Sequence, residues 1–77
     1  MHQFNISIRS FRGVKEFVEL AMRQPFEIFV GNEKQRINAK SFIGMFSLDY
    51  KRPLHVHVNC TKEEFLRFQQ AAAQFLI

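Results

Sequence analysis

Three segments of this chain alternate apolar and polar side chains, and helical spacings separate and follow them. Phe4, Ile6 and Ile8 alternate with Asn5, Ser7 and Arg9. Phe26, Ile28 and Val30 repeat the pattern, and Leu54, Val56 and Val58 do so again. A period of two sends successive side chains to opposite faces of a sheet. Each strand then has one face to bury and one to leave in water. That requirement predicts an antiparallel sheet with helices packed on a single face.

The intervening signals supply the helices. Val14, Phe17, Val18 and Ala21 recur at helical spacing, Ser10 is placed to cap the start, and Pro25 stops the helix near Gln24. Gly31-Asn32 marks a turn, after which Gln35 to Ala39 return as a second hairpin strand with Ile37 inward. A short helix follows Ser41, and Tyr50-Lys51-Arg52-Pro53 reads as a loop. Thr61 with Glu64 three residues later is a capping box. The helix it opens has Phe65, Phe68, Ala72 and Phe75 along one stripe. The predicted order is β-α-β-β-α-β-α: an α+β fold, a four-stranded antiparallel sheet with three helices on one face. The 77 residues form one domain, 1–77, without repeats, low-complexity tracts or linkers.

A domain this small needs an efficient core, and ten Phe with no Trp make Phe its main material. Cys60 is the single cysteine, so no internal disulfide forms, and one thiol fits a reducing cytosol. The start, Met1-His2-Gln3-Phe4-Asn5, lacks the apolar stretch of a signal peptide. No apolar run approaches the roughly 20 residues of a membrane span. The expected location is therefore cytoplasmic. A net charge of +4 is a weak pull toward anionic partners.

The segment Lys40-Ser41-Phe42-Ile43-Gly44-Met45-Phe46-Ser47-Leu48 is too apolar for its length. One or two helical turns cannot hide Phe42, Ile43, Met45, Phe46 and Leu48 on one side. Phe42 and Phe46, four apart, share a side of the helix. Some of this surface is expected to face outward, where a partner could cover it; the competing reading places these aromatics in the core.

The same segment resembles the HPr family, the histidine-containing phosphocarrier proteins of the bacterial sugar phosphotransferase system. Lys40, Ser41, Gly44, Ser47 and Leu48 fall at the spacing of the K-S-x-x-G-x-x-S-L segment of HPr from Gram-positive bacteria, and element order and length agree. The resemblance covers about Phe17 to Leu76. It implies the HPr-like open-faced β-sandwich. It implies that Ser41 is a regulatory phosphorylation site, and that Phe42, Ile43 and Phe46, with Lys15 and Glu19 on the neighbouring helix and Lys40 beside them, form a surface for docking partner proteins. The implied partners are phosphotransferase-system enzymes, the HPr serine kinase or a transcription regulator. Met45 and Leu48 match family positions that pack inward.

The chain departs from the family at its active centre, which reads approximately G-[IL]-H-[AT]-R-P-[AS]. Here the region is Arg9-Ser10-Phe11-Arg12-Gly13-Val14. Ser10 falls on the phosphoryl-carrying histidine, Arg12 on the arginine and Gly13 on the proline, and the loop before the helix is several residues short. Ser10 and Arg12 thus mark a degenerate active centre. A serine phosphoester lacks the transfer potential of a phosphohistidine. The expected protein is a regulatory or interaction relative of HPr without histidine phosphotransfer. Some HPr-like proteins lack the histidine, keep the serine and act in carbon catabolite regulation.

Other polar residues have plainer readings. Arg9, Arg12 and Lys15 with the first helix's N-terminal amides could hold an anion, or could be solvated surface. His55 and His57 share one strand face, opposite Val56 and Val58, while His2 belongs to the other face with Phe4. Two His at this spacing could ligate a metal if a third ligand arrived across the sheet; otherwise they are ordinary surface histidines. Cys60 has no base placed to activate it. There is no Gly-rich phosphate loop, carboxylate pair or hydrolase triad, so neither an enzyme nor a cofactor or metal site is expected. Three alternatives stand beside the regulatory reading. One is a phosphocarrier using His55 or His57. Another is a nucleic-acid-binding module using Arg9, Arg12, Arg36, Lys51 and Arg52, against which the few exposed aromatics count. The third is a dimer formed through the exposed helix.

Overall fold

The computed structural model describes residues 2–77. The strands are β1 (His2–Ile6), β2 (Glu27–Gly31), β3 (Arg36–Asn38) and β4 (Leu54–Asn59), and the helices α1 (Phe11–Met22), α2 (Phe42–Ser47) and α3 (Lys62–Ala71). A 3₁₀ turn, Ala73–Phe75, follows α3. The expected order of elements is therefore observed. The last stripe differs in detail: α3 ends at Ala71, and the tighter turn carries Phe75 back to the core.

All four strands pair antiparallel in the order β1-β4-β2-β3. The chain's last strand thus lies beside its first, and β4 is bonded on both sides. The outer edge of β1 is covered at its C-terminal end by residues 75–77. Ser7 N donates to Phe75 O at 2.8 Å and Ile77 N to Asn5 O at 3.4 Å. This cover shortens the unpaired strand edge.

Alternation decides the faces. Leu54, Val56 and Val58 of β4 and Ile28 and Val30 of β2 are buried beneath the helices, with Phe4 and Ile6 of β1. The helices contribute Val14, Phe17, Val18 and Ala21 from α1, Met45 from α2 and Phe68 from α3. Burying each of Phe17 and Phe68 contributes roughly 1.5–3 kcal/mol. No side-chain polar atom is buried without a hydrogen bond among the described residues.

Each helix begins on a side-chain cap. Ser10 Oγ accepts from Gly13 N at 3.1 Å, and Ser41 Oγ from Gly44 N at 3.1 Å. Thr61 and Glu64 form the full reciprocal box, at 3.2 and 3.0 Å. Gly44 fits α2 to the sheet side: a Cβ there would overlap Cγ2 of Ile37 on β3.

Candidate docking surface

The first turn of α1 and the whole of α2 form one surface. Ser10 fixes where α1 starts, and Phe11 follows it immediately. The Phe11 ring stacks on Phe46 of α2, with centroids 4.4 Å apart and planes 17° from parallel. Phe46 in turn lies near-parallel to Phe42, at 6.3 Å and 20°. Three rings thus run in a ladder from one helix to the other. Such pairs contribute about 0.5–1.5 kcal/mol beyond area burial. Phe42 and Phe46 are half-buried and also pack against the core, while Phe11 remains 66% exposed.

Ile43 stands beside the ladder at 86% exposure, the most exposed large apolar side chain among the described residues. Met45 and Leu48 point inward and are buried. The short helix therefore divides its apolar residues three ways: Met45 and Leu48 inside, Phe42 and Phe46 at the boundary, Ile43 outside.

Charge surrounds one side of this patch. Arg9, Arg12 and Lys15 are exposed around the start of α1, whose first turn has no acidic residue. Glu19 lies exposed one turn beyond Lys15. Cations at a helix N-terminus oppose its dipole, so stability does not explain this placement.

Ser41 is half-buried, and its hydroxyl oxygen is engaged as the α2 cap. Lys40 is less available than its sequence position suggests. Its Nζ donates to the carbonyl of Gln24 at 2.7 Å, just past α1. That contact bridges 16 positions of sequence and holds the approach to α2 against the end of α1. Ser10 and Arg12 are both exposed.

The histidines are elsewhere. His55 and His57 lie on the open face of the sheet, away from the helices, as the alternation predicts. Burial lowers the pKa of His57, with further lowering from the neighbouring Arg36 and His55. His2 is on the helix side, stacked on Phe65 at 4.7 Å. Cys60 is half-buried, and its pKa is raised by burial and by the neighbouring Glu64. No group of three or more metal-ligating side chains occurs among the described residues.

Phe11 is the residue that sequence reasoning missed. It was legible only as one position of the degenerate segment. Its spacing of three from Val14 extends the apolar stripe of α1 by a turn, which could have flagged it.

No model of a known protein family matches the chain, and no curated protein matches it. Solved structures do. The crystal structure of HPr-C-His from Thermoanaerobacter tengcongensis superposes with a TM-score of 0.77 at 22% identity, covering 96% of this chain and 92% of that one. The phosphocarrier protein HPr from Bacillus anthracis str. Ames gives 0.74 at 22% identity, covering 99% and 94%. The fold is the HPr-like open-faced β-sandwich.

Proposed function

We propose that this protein is a non-enzymatic, cytosolic HPr-like interaction protein, related to the phosphotransferase system, that docks partner proteins through the α1–α2 surface and does not carry a phosphohistidine. The observation behind this reading is the Phe11–Phe46–Phe42 ladder with Ile43 exposed beside it. A stacked, partly exposed aromatic group on rigid helices is the kind of anchor that dominates binding energy at interfaces. The cations at the start of α1 favour a partner whose apolar pocket is rimmed by carboxylates, because complementary charge speeds encounter and fixes orientation. Lys15, Glu19, Lys40, Phe42, Ile43 and Phe46 belong to this surface, and Phe11 joins them.

Ser41 is the regulatory position in this reading. A phosphate there would keep oxygen acceptors near the first-turn amides and add charge at the edge of the docking patch. Lys40 would assist only by giving up its bond to the Gln24 carbonyl. Partners approaching from the patch would include the kinase and phosphotransferase-system proteins.

His55 and His57 are poor substitutes for a phosphoacceptor, since they lie on the sheet face opposite the helices. The nucleic-acid reading is also weakened. Arg9 and Arg12 flank the start of α1, Arg36 lies on β3, and Arg52 is paired with Asp49 at 3.3 Å.

Intact mass spectrometry tests both parts. Incubation with phosphoenolpyruvate and the general phosphotransferase enzyme is expected to leave the mass unchanged, and an acid-labile phosphate would refute the loss of carrier function. Incubation with ATP and the HPr serine kinase is expected to add one phosphate that Ser41→Ala abolishes. An unmodified mass would reduce Ser41 to a helix cap.

A further inference from the structure

The open face of the sheet holds a side-chain arrangement that docking through the helices does not use. His55 and His57 occupy alternate positions of β4, between the buried Leu54, Val56 and Val58, so both project from the uncovered face. Two residues along a strand separate their backbones by roughly 6.5–7 Å, close enough for two imidazoles to lean onto one ion. β4 is bonded to β1 and β2 on its two sides, which fixes this spacing.

A neighbour on β1 orients one of the pair. Asn5 lies opposite His55 and Gln3 opposite His57. Asn5 Oδ1 is 2.6 Å from His55 Nδ1. A carboxamide oxygen only accepts, so Nδ1 donates and the lone pair is left on Nε2. An oxygen acceptor on the far nitrogen is the usual support of a metal-binding histidine. Gln3, Asn5, His55 and His57 together line a shallow cleft with Phe4.

We propose that His55 and His57 form a two-imidazole chelate for a divalent transition metal, with Asn5 as the residue that positions His55. No third His, Cys, Asp or Glu stands opposite either histidine across the sheet among the described residues, so the chelate is two-coordinate from the protein and water completes the coordination sphere. Two imidazoles without a carboxylate or thiolate suit copper(II), nickel(II) and zinc(II), and copper(II) binds most tightly by the general order of affinities. Arg36 stands in the same cross-strand row as His55, across Gly31. Its charge opposes a cation and keeps the binding exchangeable.

Copper(II) iminodiacetate is the probe, because its chelator leaves adjacent positions for two further nitrogens. Titration followed by electron paramagnetic resonance is expected to give one bound complex per chain with two imidazole nitrogens. Holding the second imidazole on the same strand raises its effective concentration, so His55→Gln and His57→Gln are each expected to weaken binding on the order of 100-fold. Asn5→Ala is expected to weaken it about tenfold, the lower end for loss of an outer partner. His2→Gln and Cys60→Ser are expected to bind as the parent does. Thermal unfolding of each variant verifies that the fold persists. Unchanged affinity in His55→Gln and His57→Gln, a spectrum with one imidazole, or loss of binding in His2→Gln would overturn the proposal.

Discussion

The phenylalanines of this protein meet in two different ways. Inside, rings meet at steep angles: Phe17 with Phe75 at 5.3 Å and 85°, Phe26 with Phe68 at 6.0 Å and 83°, Phe17 with Phe68 at 6.2 Å and 65°, and, less steeply, Phe4 with Phe68 at 5.9 Å and 57°. On the α1–α2 surface, Phe11, Phe46 and Phe42 lie within 20° of parallel. Edge-to-face packing interlocks rings from several elements and fills a core in every direction. A parallel ladder presents an end ring and its edges to solvent. The first arrangement builds the core, and the second leaves an aromatic surface shared by two helices.

The largest test of this contrast is stability. Phe17→Ala is expected to cost about 3–5 kcal/mol by urea unfolding, as for a fully buried aromatic. Phe11→Ala, at the exposed end of the ladder, is expected to cost about 1 kcal/mol or less, the size of a stacked pair. Equal costs would make the ladder ordinary core and remove the contrast.

The second test is binding. Phe46→Ala is expected to lower partner affinity by about 2 kcal/mol or more, near 30-fold, measured by calorimetry with the HPr serine kinase. Arg12→Gln should act more weakly, and mainly on the association rate at low salt. The reverse ranking would make the surface electrostatic rather than aromatic.

The third concerns the caps on either side of the ladder. Ser10→Ala and Ser41→Ala are each expected to cost about 1 kcal/mol of stability in thermal or urea unfolding. Only Ser41→Ala should remove the serine phosphate.

The smallest effect lies away from the ladder. The raised pKa of Cys60 keeps less thiolate at neutral pH than an ordinary thiol. Its alkylation by iodoacetamide should therefore run slower in the folded protein than in urea, and faster alkylation in the fold would contradict the burial described here.

Local chemistry was legible in the sequence, and long-range placement was not. Alternation at residues 4–8, 26–30 and 54–58 identified the three strands and their buried faces, because a two-residue period depends on nothing distant, but β1 itself is His2–Ile6, so Ile8 is buried beyond the strand's end. The caps at Ser10, Ser41 and Thr61 were likewise readable, since each hydroxyl reaches an amide three residues on. The inward turn of Met45 and Leu48 came from the family resemblance rather than from periodicity. Phe11 escaped notice because its role depends on where α2 lies, some thirty positions later in the sequence. The same holds for Lys40, which looked like a free charge beside Ser41 until the fold brought the end of α1 to it. Asn5 and His55, fifty residues apart, meet only through the β1–β4 pairing. Period and capping carry no information about which strands become neighbours.

Amide chemical-shift mapping of the labelled protein during titration with the HPr serine kinase tests the docking surface most directly. Perturbations are expected to cluster at residues 11–15 and 41–47, where the ladder, Ile43 and Ser41 lie. Perturbations centred instead on Asn5, Phe29, His55 and His57 of the open sheet face would contradict the α1–α2 surface as the place where partners bind.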